Sequence, residues 1–264
     1  MINLSGKIAI VTGGGSGIGK GISLVLANQG ASVVIADVNI KNAESVVSEL
    51  ESRHQQGIAV STDVSDKKSV ETMVNQVINK FGQIDILVNN AGVMGAPDWD
   101  GKRTPTDEDW DWALSINLMG VVNVSEAVSP FMKERRYGKI VNVASTAARV
   151  GGGGPGAQYS ASKAATLSFT QSNALQLAPH NINVNCICPG NVWTAWLRSL
   201  AEKTAALEGM TARERFDEMV KTRNPMKRAQ TPEDMGNLTA FLVSDDSCNI
   251  TGQTINIDGG GRLD

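Results

Sequence analysis

Histidine is almost missing from this chain: 264 residues hold two, His54 and His180, and neither has neighbours that suggest a ligand set. A histidine-based triad or zinc centre is therefore set aside, and no metal site is expected. Cysteine is scarce as well. Three is an odd count, and Cys186 and Cys188 lie two apart in an apparent strand, on one face, without the geometry of a good intrachain bridge. They read as small buried residues. Positive charge is not in excess: 24 Lys+Arg stand against 27 Asp+Glu, and the pI is near 5.5. Nothing in that balance favours nucleic acid or an anionic membrane surface as a partner. Long apolar runs are absent too. No window reaches the roughly 20 apolar residues of a membrane span, and Met1 to Ile10 show no apolar stretch behind a basic start. A soluble, cytoplasmic protein is the expectation.

What the chain does contain is alternation. Short apolar runs at Lys7–Val11, Ser32–Ala36, Ile58–Ser61, Ile84–Val88, Lys139–Ala144, Asn181–Ile187 and Gln253–Ile257 are rich in Val and Ile. Such continuous runs suit strands buried on both faces, as in a parallel sheet. Helical periodicity falls between them, near residues 17–29, 41–54, 66–81, 107–133, 158–178 and 232–243. The pattern predicts a doubly wound α/β fold with a mostly parallel seven-stranded sheet and helices on both faces. No repeat, low-complexity tract or linker interrupts it, so residues 1–264 are expected to form one domain. Thr231-Pro232-Glu233-Asp234 and Thr211 with Glu214 mark helix starts, and Pro225 marks a helix end. Segment 193–225 then reads as an inserted helical lid.

Several motifs carry chemistry. Gly13, Gly17 and Gly19 follow the first strand and open a helix, where backbone without Cβ atoms can approach a pyrophosphate and the helix N-terminus stabilises its charge. Taken alone, such glycines also fit a plain strand–helix turn. Asp37 ends the second strand, 18 residues after Gly19. A carboxylate there accepts hydrogen bonds from adenosine ribose hydroxyls and repels a 2′-phosphate. Tyr159 precedes Lys163 by four residues, so on a helix both side chains point to one face. An ammonium beside a phenol, which titrates near ~10 unperturbed, favours the phenolate.

In order and spacing, Thr12-Gly13-Gly14-Gly15-Ser16-Gly17-Ile18-Gly19, Asp37, Asn89-Asn90-Ala91-Gly92, Asn117, Ser145, Tyr159-Ser160-Ala161-Ser162-Lys163 and Pro189-Gly190 resemble the classical short-chain dehydrogenase/reductase family, over essentially the whole chain. The resemblance implies a catalytic set. Tyr159 would exchange the proton with the substrate oxygen and Ser145 would hydrogen-bond that oxygen. Lys163 would lower the Tyr159 pKa and bind the nicotinamide ribose, and Asn117 would hold a relay water. At the cofactor end it implies Gly13, Ser16, Gly17, Ile18 and Gly19 at the phosphates and Asp37 at the ribose. Asp63 and Val64 would meet the adenine, although Asp63 alone also fits a helix N-cap. Asn90, Ala91 and Gly92 would lie along the dinucleotide, and Pro189, Gly190, Val192 and Thr194 at the nicotinamide. Val38 and Asn39 follow Asp37 where NADP-preferring relatives put a cation, so NAD is the expected cofactor.

One departure stands out. Ser145 and Tyr159 are 14 positions apart, one more than the family's usual interval, with the extra residue assigned to Gly151–Gly156. The expected reaction is NAD-dependent interconversion of a secondary alcohol (a polyol, sugar alcohol or small hydroxyketone) and its ketone. An NADPH-dependent ketoreductase of the acyl-carrier type resembles the chain but conflicts with Asp37. A silent NAD-binding sensor conflicts with the retained catalytic set. The lid carries Trp193 and Trp196, expected at the substrate together with Ser145, and also Met210, Phe216 and Met219. Its Arg198, Arg213, Arg215 and Arg223 could bind an anionic substrate group, or simply belong to a solvated charged face offset by neighbouring acids. The resemblance also implies a homotetramer with the 158–178 helix at an interface.

Overall fold

The structure, a computed structural model, describes residues 2–99, 104–149 and 156–263, apart from the side chains of residues 196, 200, 203–204 and 206–208. The described elements run β1 (Ile8–Thr12), α1 (Gly17–Asn28), β2 (Ser32–Asp37), α2 (Ile40–Ser52), β3 (Gly57–Ser61), α3 (Lys67–Phe81), β4 (Ile86–Asn89) and α4 (Asp107–Leu114). They continue with α5 (Gly120–Arg135), β5 (Gly138–Val143), α6 (Ala157–Leu177), β6 (Ile182–Pro189), α7 (Ala195–Glu208), α8 (Ala212–Arg223), α9 (Pro232–Val243) and β7 (Thr254–Ile257). The seven strands form one sheet in the order β3-β2-β1-β4-β5-β6-β7, and every pairing is parallel. The chain order reverses between β1 and β4, which opens a crevice at their carboxyl ends.

Two cores explain the continuous strand hydrophobicity. Ala9, Val11, Val33, Ile35, Val88 and Val143 pack on one face with Ile22 and Leu26 of α1 and Leu242 of α9. Ile8, Ile10, Val34, Leu87 and Ile140 pack on the other face with Met73 of α3, Val128 of α5 and Leu177 of α6. Alternate residues of each strand therefore meet opposite helix layers. Cys186 and Cys188 are free and buried with Ala144, on one face of β6 as their spacing implied.

Strand limits differ from the expected ones by a residue or two. A larger difference is the break in the expected 107–133 helix, where Ser115–Met119 forms a π-helical turn between α4 and α5. Asn117 sits in it. A π-turn frees a backbone carbonyl from the regular ladder and often marks a functional position. The capping boxes at Thr211/Glu214 and Thr231/Asp234 are formed. Pro225 follows an extended Asn224 that closes α8, as the restriction on pre-proline residues requires.

Candidate active site

The crevice at the strand ends is a cleft of about 1150 Å³. Its first wall is the β1–α1 turn. Gly13 has φ +61°, and a Cβ there would meet the Ala91 Cα at 2.9 Å. Gly19 stands behind the cleft surface, and a Cβ on it would lie 2.1 Å from the Gly13 carbonyl oxygen. Its missing side chain lets the turn close. The Asn90 side chain then donates to the carbonyls of Thr12 and Gly13, while Thr12 Oγ1 accepts from the backbone of Asn90 and Ala91. These bonds tie the end of β4 to the end of β1.

Asp37 is buried at the end of β2 and faces the cleft. Its Oδ2 accepts from Gly15 N–H at 2.9 Å and its Oδ1 from Asn39 N–H at 2.9 Å. The carboxylate thus braces the glycine turn. The Gly15 contact escaped the sequence reading, since only the fold brings that amide to β2. Val38, beside it, is 72% exposed and presents no cation. Asp63 is not the cap of α3: Asp66 is, and Asp63 instead accepts from Ser65 and lines the cleft with Val64. The Val64 carbonyl is fixed by Asn123 of α5.

Ser16, Gly17, Ile18, Ala91, Gly92, Pro189, Gly190, Val192 and Thr194 also line the cleft. Thr194 caps α7 and sets its methyl against Gly17. Ser145, Tyr159 and Lys163 line the same cleft. Gln158 positions Tyr159 by donating from α6 to the Met94 carbonyl at 2.8 Å. Asn117 is fully buried one layer behind. Its amide oxygen accepts from Val93 N–H, and its nitrogen donates to the Val93 carbonyl and to Ser162. Ser162 and Thr166, which bond the side chain and the carbonyl of Asn117, were not singled out from the sequence.

The electrostatics correct one expectation. Lys163 was expected to hold the Tyr159 phenol down, yet that phenol is pushed up to about 12, first by desolvation, against a hydrogen bond with Ser145 that lowers it. Tyr159 shows surface to the cleft, but protein encloses its other sides. Lys163 lies with its Nζ 5.9 Å from the Tyr159 ring centroid and donates at 2.8 Å to the Val143 carbonyl. Burial pulls the Lys163 pKa down to about 8. Spacing does place the two groups on one face, but burial is the largest influence on each.

The lid segment is α7 packed on α8. Trp193 does not line the cleft: its ring packs on Phe216 at 4.7 Å between centroids, with the Arg198 and Arg213 guanidinium groups over it. The apolar cleft lining from segment 193–225 comes from Leu197, Ala201, Phe216 and Met219. The Trp196 side chain and residues 151–155 lie outside the described residues, so the extra residue of the glycine loop is not placed. No helix among the described residues is long and apolar enough to cross a membrane.

Comparison with known proteins agrees with this fold. Residues 13–261 match the family model described as Enoyl-(Acyl carrier protein) reductase. The chain is 37% identical over 259 residues to the 3-oxoacyl-(acyl-carrier-protein) reductase FabG of Thermotoga maritima, covering 98% of this chain and 99% of that one. Levodione reductase superposes with a TM-score of 0.89 at 31% identity, covering 98% of both chains. NAD+-bound xylitol dehydrogenase superposes at 0.87 with 32% identity, covering 97% of this chain and 99% of that one. The chain therefore belongs to the short-chain dehydrogenase/reductase family, as an oxidoreductase acting on a CH–OH group.

Proposed function

We propose that the protein is an NAD-dependent oxidoreductase that interconverts a secondary alcohol and its ketone, with a polyol, sugar alcohol or small hydroxyketone as the substrate class. The observation that carries this reading is one cleft lined by a braced carboxylate, Asp37, and by Ser145, Tyr159 and Lys163 together. The glycine turn suits a dinucleotide: Gly13 and Gly19 let it close tightly against Asn90 and Ala91, and Gly13, Ser16 and Gly17 line the cleft at the N-terminus of α1. NAD supplies the hydride acceptor when bound.

The chain's own residues do the rest. Asp37 would hold ribose hydroxyls through the lone pairs left beside its two backbone bonds. Val192 and Thr194 would orient the nicotinamide, and Asp63 and Val64 would flank the adenine. Tyr159 exchanges the proton with the substrate oxygen. Burial keeps its phenol protonated at neutral pH, the form that donates to a developing alkoxide when a ketone is reduced. Alcohol oxidation needs the phenolate, so that direction gains as pH rises. Ser145 hydrogen-bonds the same oxygen as charge develops. Lys163 would swing from the Val143 carbonyl toward the ribose, and Asn117 acts behind it as a positioning residue, where the family resemblance puts a relay water. Segment 193–225 serves as the lid, with Phe216 and Met219 over the substrate.

A second reading, NADPH-dependent reduction of acyl-carrier ketones, is favoured by the likeness to FabG and opposed by Asp37. Incubation of the purified protein with polyols, hydroxyketones and acyl thioesters, each with NAD(H) and NADP(H), tests both. Turnover of alcohols with NAD supports the proposal. Turnover of thioesters with NADPH alone would replace it with the second reading.

A further inference from the structure

We infer that the substrate carries an anionic group, a carboxylate, sulfonate or phosphate, and that Arg223 and Arg262 receive it; this rests on the reading of the cleft as an alcohol–ketone site. Arg223 is the last residue of α8, and Arg262 follows the glycine run after β7. Although far apart in sequence, both line the main cleft. Both also line a smaller recess of about 390 Å³ beside it, with Thr146, Gly190 and Asn191. They therefore stand where the strand ends carrying Ser145 and Pro189 open toward the lid.

Most lid arginines have other work. Arg213 pairs with Asp217 and lies over Trp193, Arg215 pairs with Glu218, and Arg198 lies over Trp193. Arg223 and Arg262 make no ion pair or side-chain hydrogen bond to any described residue. Two guanidinium groups that line one cleft and hold no ion pair with a described residue remain open to an added anion. Their planar forks suit an oxygen-bearing anion.

The surrounding charges place that anion on the cleft side. The carboxylates lining the cleft are Asp37, Asp63 and Asp111, the first two at the adenosine end. Asp258 lines only the recess, where its Oδ1 accepts from Gly260 N–H and its Oδ2 is buried without a hydrogen bond. An anion is repelled from the recess floor and held at its rim. The pair does not serve a cofactor 2′-phosphate, because that group belongs beside Asp37 at the opposite end.

The test compares 3-hydroxybutanoate with its methyl ester, and 2-hydroxypropane-1-sulfonate with 2-butanol, using the full-length enzyme and NAD. The expected result is a kcat/KM about tenfold or more higher for each anion, carried mainly by KM and falling with added salt. In R223Q/R262Q the anion-to-neutral ratio should fall toward one, with partial recovery in R223K/R262K. Equal turnover of charged and neutral partners by wild type, or a ratio unmoved in R223Q/R262Q, overturns the inference. A phosphopantetheine thioester of 3-hydroxybutanoate separates a short anionic substrate from a long carrier arm; an arginine effect confined to that thioester also overturns it. Calorimetric binding of 2-hydroxypropane-1-sulfonate with NADH present requires no turnover. Binding that R223Q/R262Q loses, in an enzyme that oxidises no alcohol, would uphold the anion site and defeat the proposed reaction; binding equal in both proteins would defeat the anion site.

Discussion

Replacing Asp37 separates its charge from its structural work. The carboxylate accepts two backbone N–H groups, from Gly15 and Asn39, and faces the cleft beside an exposed Val38. A carboxylate and a phosphate about 4 Å apart repel by about 1 kcal/mol in bulk water and about 4 kcal/mol at the effective dielectric of a protein surface. Asp37 is buried on one side and open on the other, so a value of about 2–3 kcal/mol is appropriate, roughly 30- to 150-fold in the NAD:NADP preference. Val38→Arg alone adds a cation and leaves both backbone bonds in place. Asp37→Asn keeps the shape, but its amide can accept only one of the two N–H groups and points a donor at the other. That mismatch costs about 1–3 kcal/mol, a few degrees in Tm at this chain length.

The kcat/KM for NAD and NADP at one fixed alcohol, measured beside a thermal melt, distinguishes the two effects. Val38→Arg should raise NADP use with Tm unchanged. Asp37→Asn should shift the ratio toward NADP and lower Tm. Asp37→Ser with Val38→Arg should shift it furthest. A wild type that already prefers NADP would refute the reasoning. So would a double variant whose ratio stays at the wild-type value while its Tm falls, since Asp37 would then be only a brace.

Other expectations follow from the same structure. Tyr159→Phe should keep the fold and NAD binding and lose about 10²–10⁴-fold in turnover; in wild type, alcohol oxidation should rise up to tenfold per pH unit above neutrality while ketone reduction stays flat, and a pH–rate profile without that difference counts against the acid–base role. Lys163→Met should lose turnover and NAD affinity yet gain stability at neutral pH. The folded pKa of about 8 lies below the unfolded value of about 10.5, so the unfolded chain binds the extra proton between them and Lys163 destabilises most below pH 8, by up to about 3 kcal/mol less the lost Val143 bond. The Tm gap between Lys163→Met and wild type should close as pH approaches 10.5. Phe216→Ala removes a fully buried ring, worth about 3–5 kcal/mol locally; it should speed hydrogen exchange across residues 193–225 and raise substrate KM more than NAD affinity changes, and unaltered exchange would show the lid to be latched elsewhere. A homotetramer by light scattering at micromolar concentration is expected, and Leu175, 80% exposed on α6, gives Leu175→Asp as the variant that should weaken it.

The fold was legible because its signals are local. Apolar strand runs, capping residues and the glycine turn each need only a few consecutive positions, and the parallel α/β class follows from alternation of strand and helix. The cleft wall was legible for the same reason: Gly13, Asp37, Asn90 and Gly190 all line it at the carboxyl ends of strands. The π-turn at Ser115–Met119 was not, because helix periodicity continues across it. Its cause lies outside the helix, in Val93 and Thr166, which take the side chain and the carbonyl of Asn117. Arg262 was equally hidden. Nothing in a glycine-rich tail after the last strand shows that it returns to the cleft.

The lid shows how composition and packing differ. Trp193 is the larger ring and adjoins the nicotinamide turn, so it was expected at the substrate, yet its neighbours are Phe216 and two guanidinium groups. Trp193 opens the insertion and Phe216 belongs to its second helix, so their contact ties the two parts of the segment together. A residue number alone does not reveal which of two aromatic groups will be latch and which will be lining. Tyr159 and Lys163 carry the same lesson in electrostatic form. Their spacing fixes a common face, but Lys163 is buried and Tyr159 is open only toward the cleft, and desolvation moves the phenol up and the ammonium down, away from the ion pair that spacing suggests. The pair is costly to the fold in that state. Because burial favours the uncharged phenol, it also stores the proton on Tyr159, the group that in the proposed reaction gives it up when a ketone oxygen becomes an alkoxide.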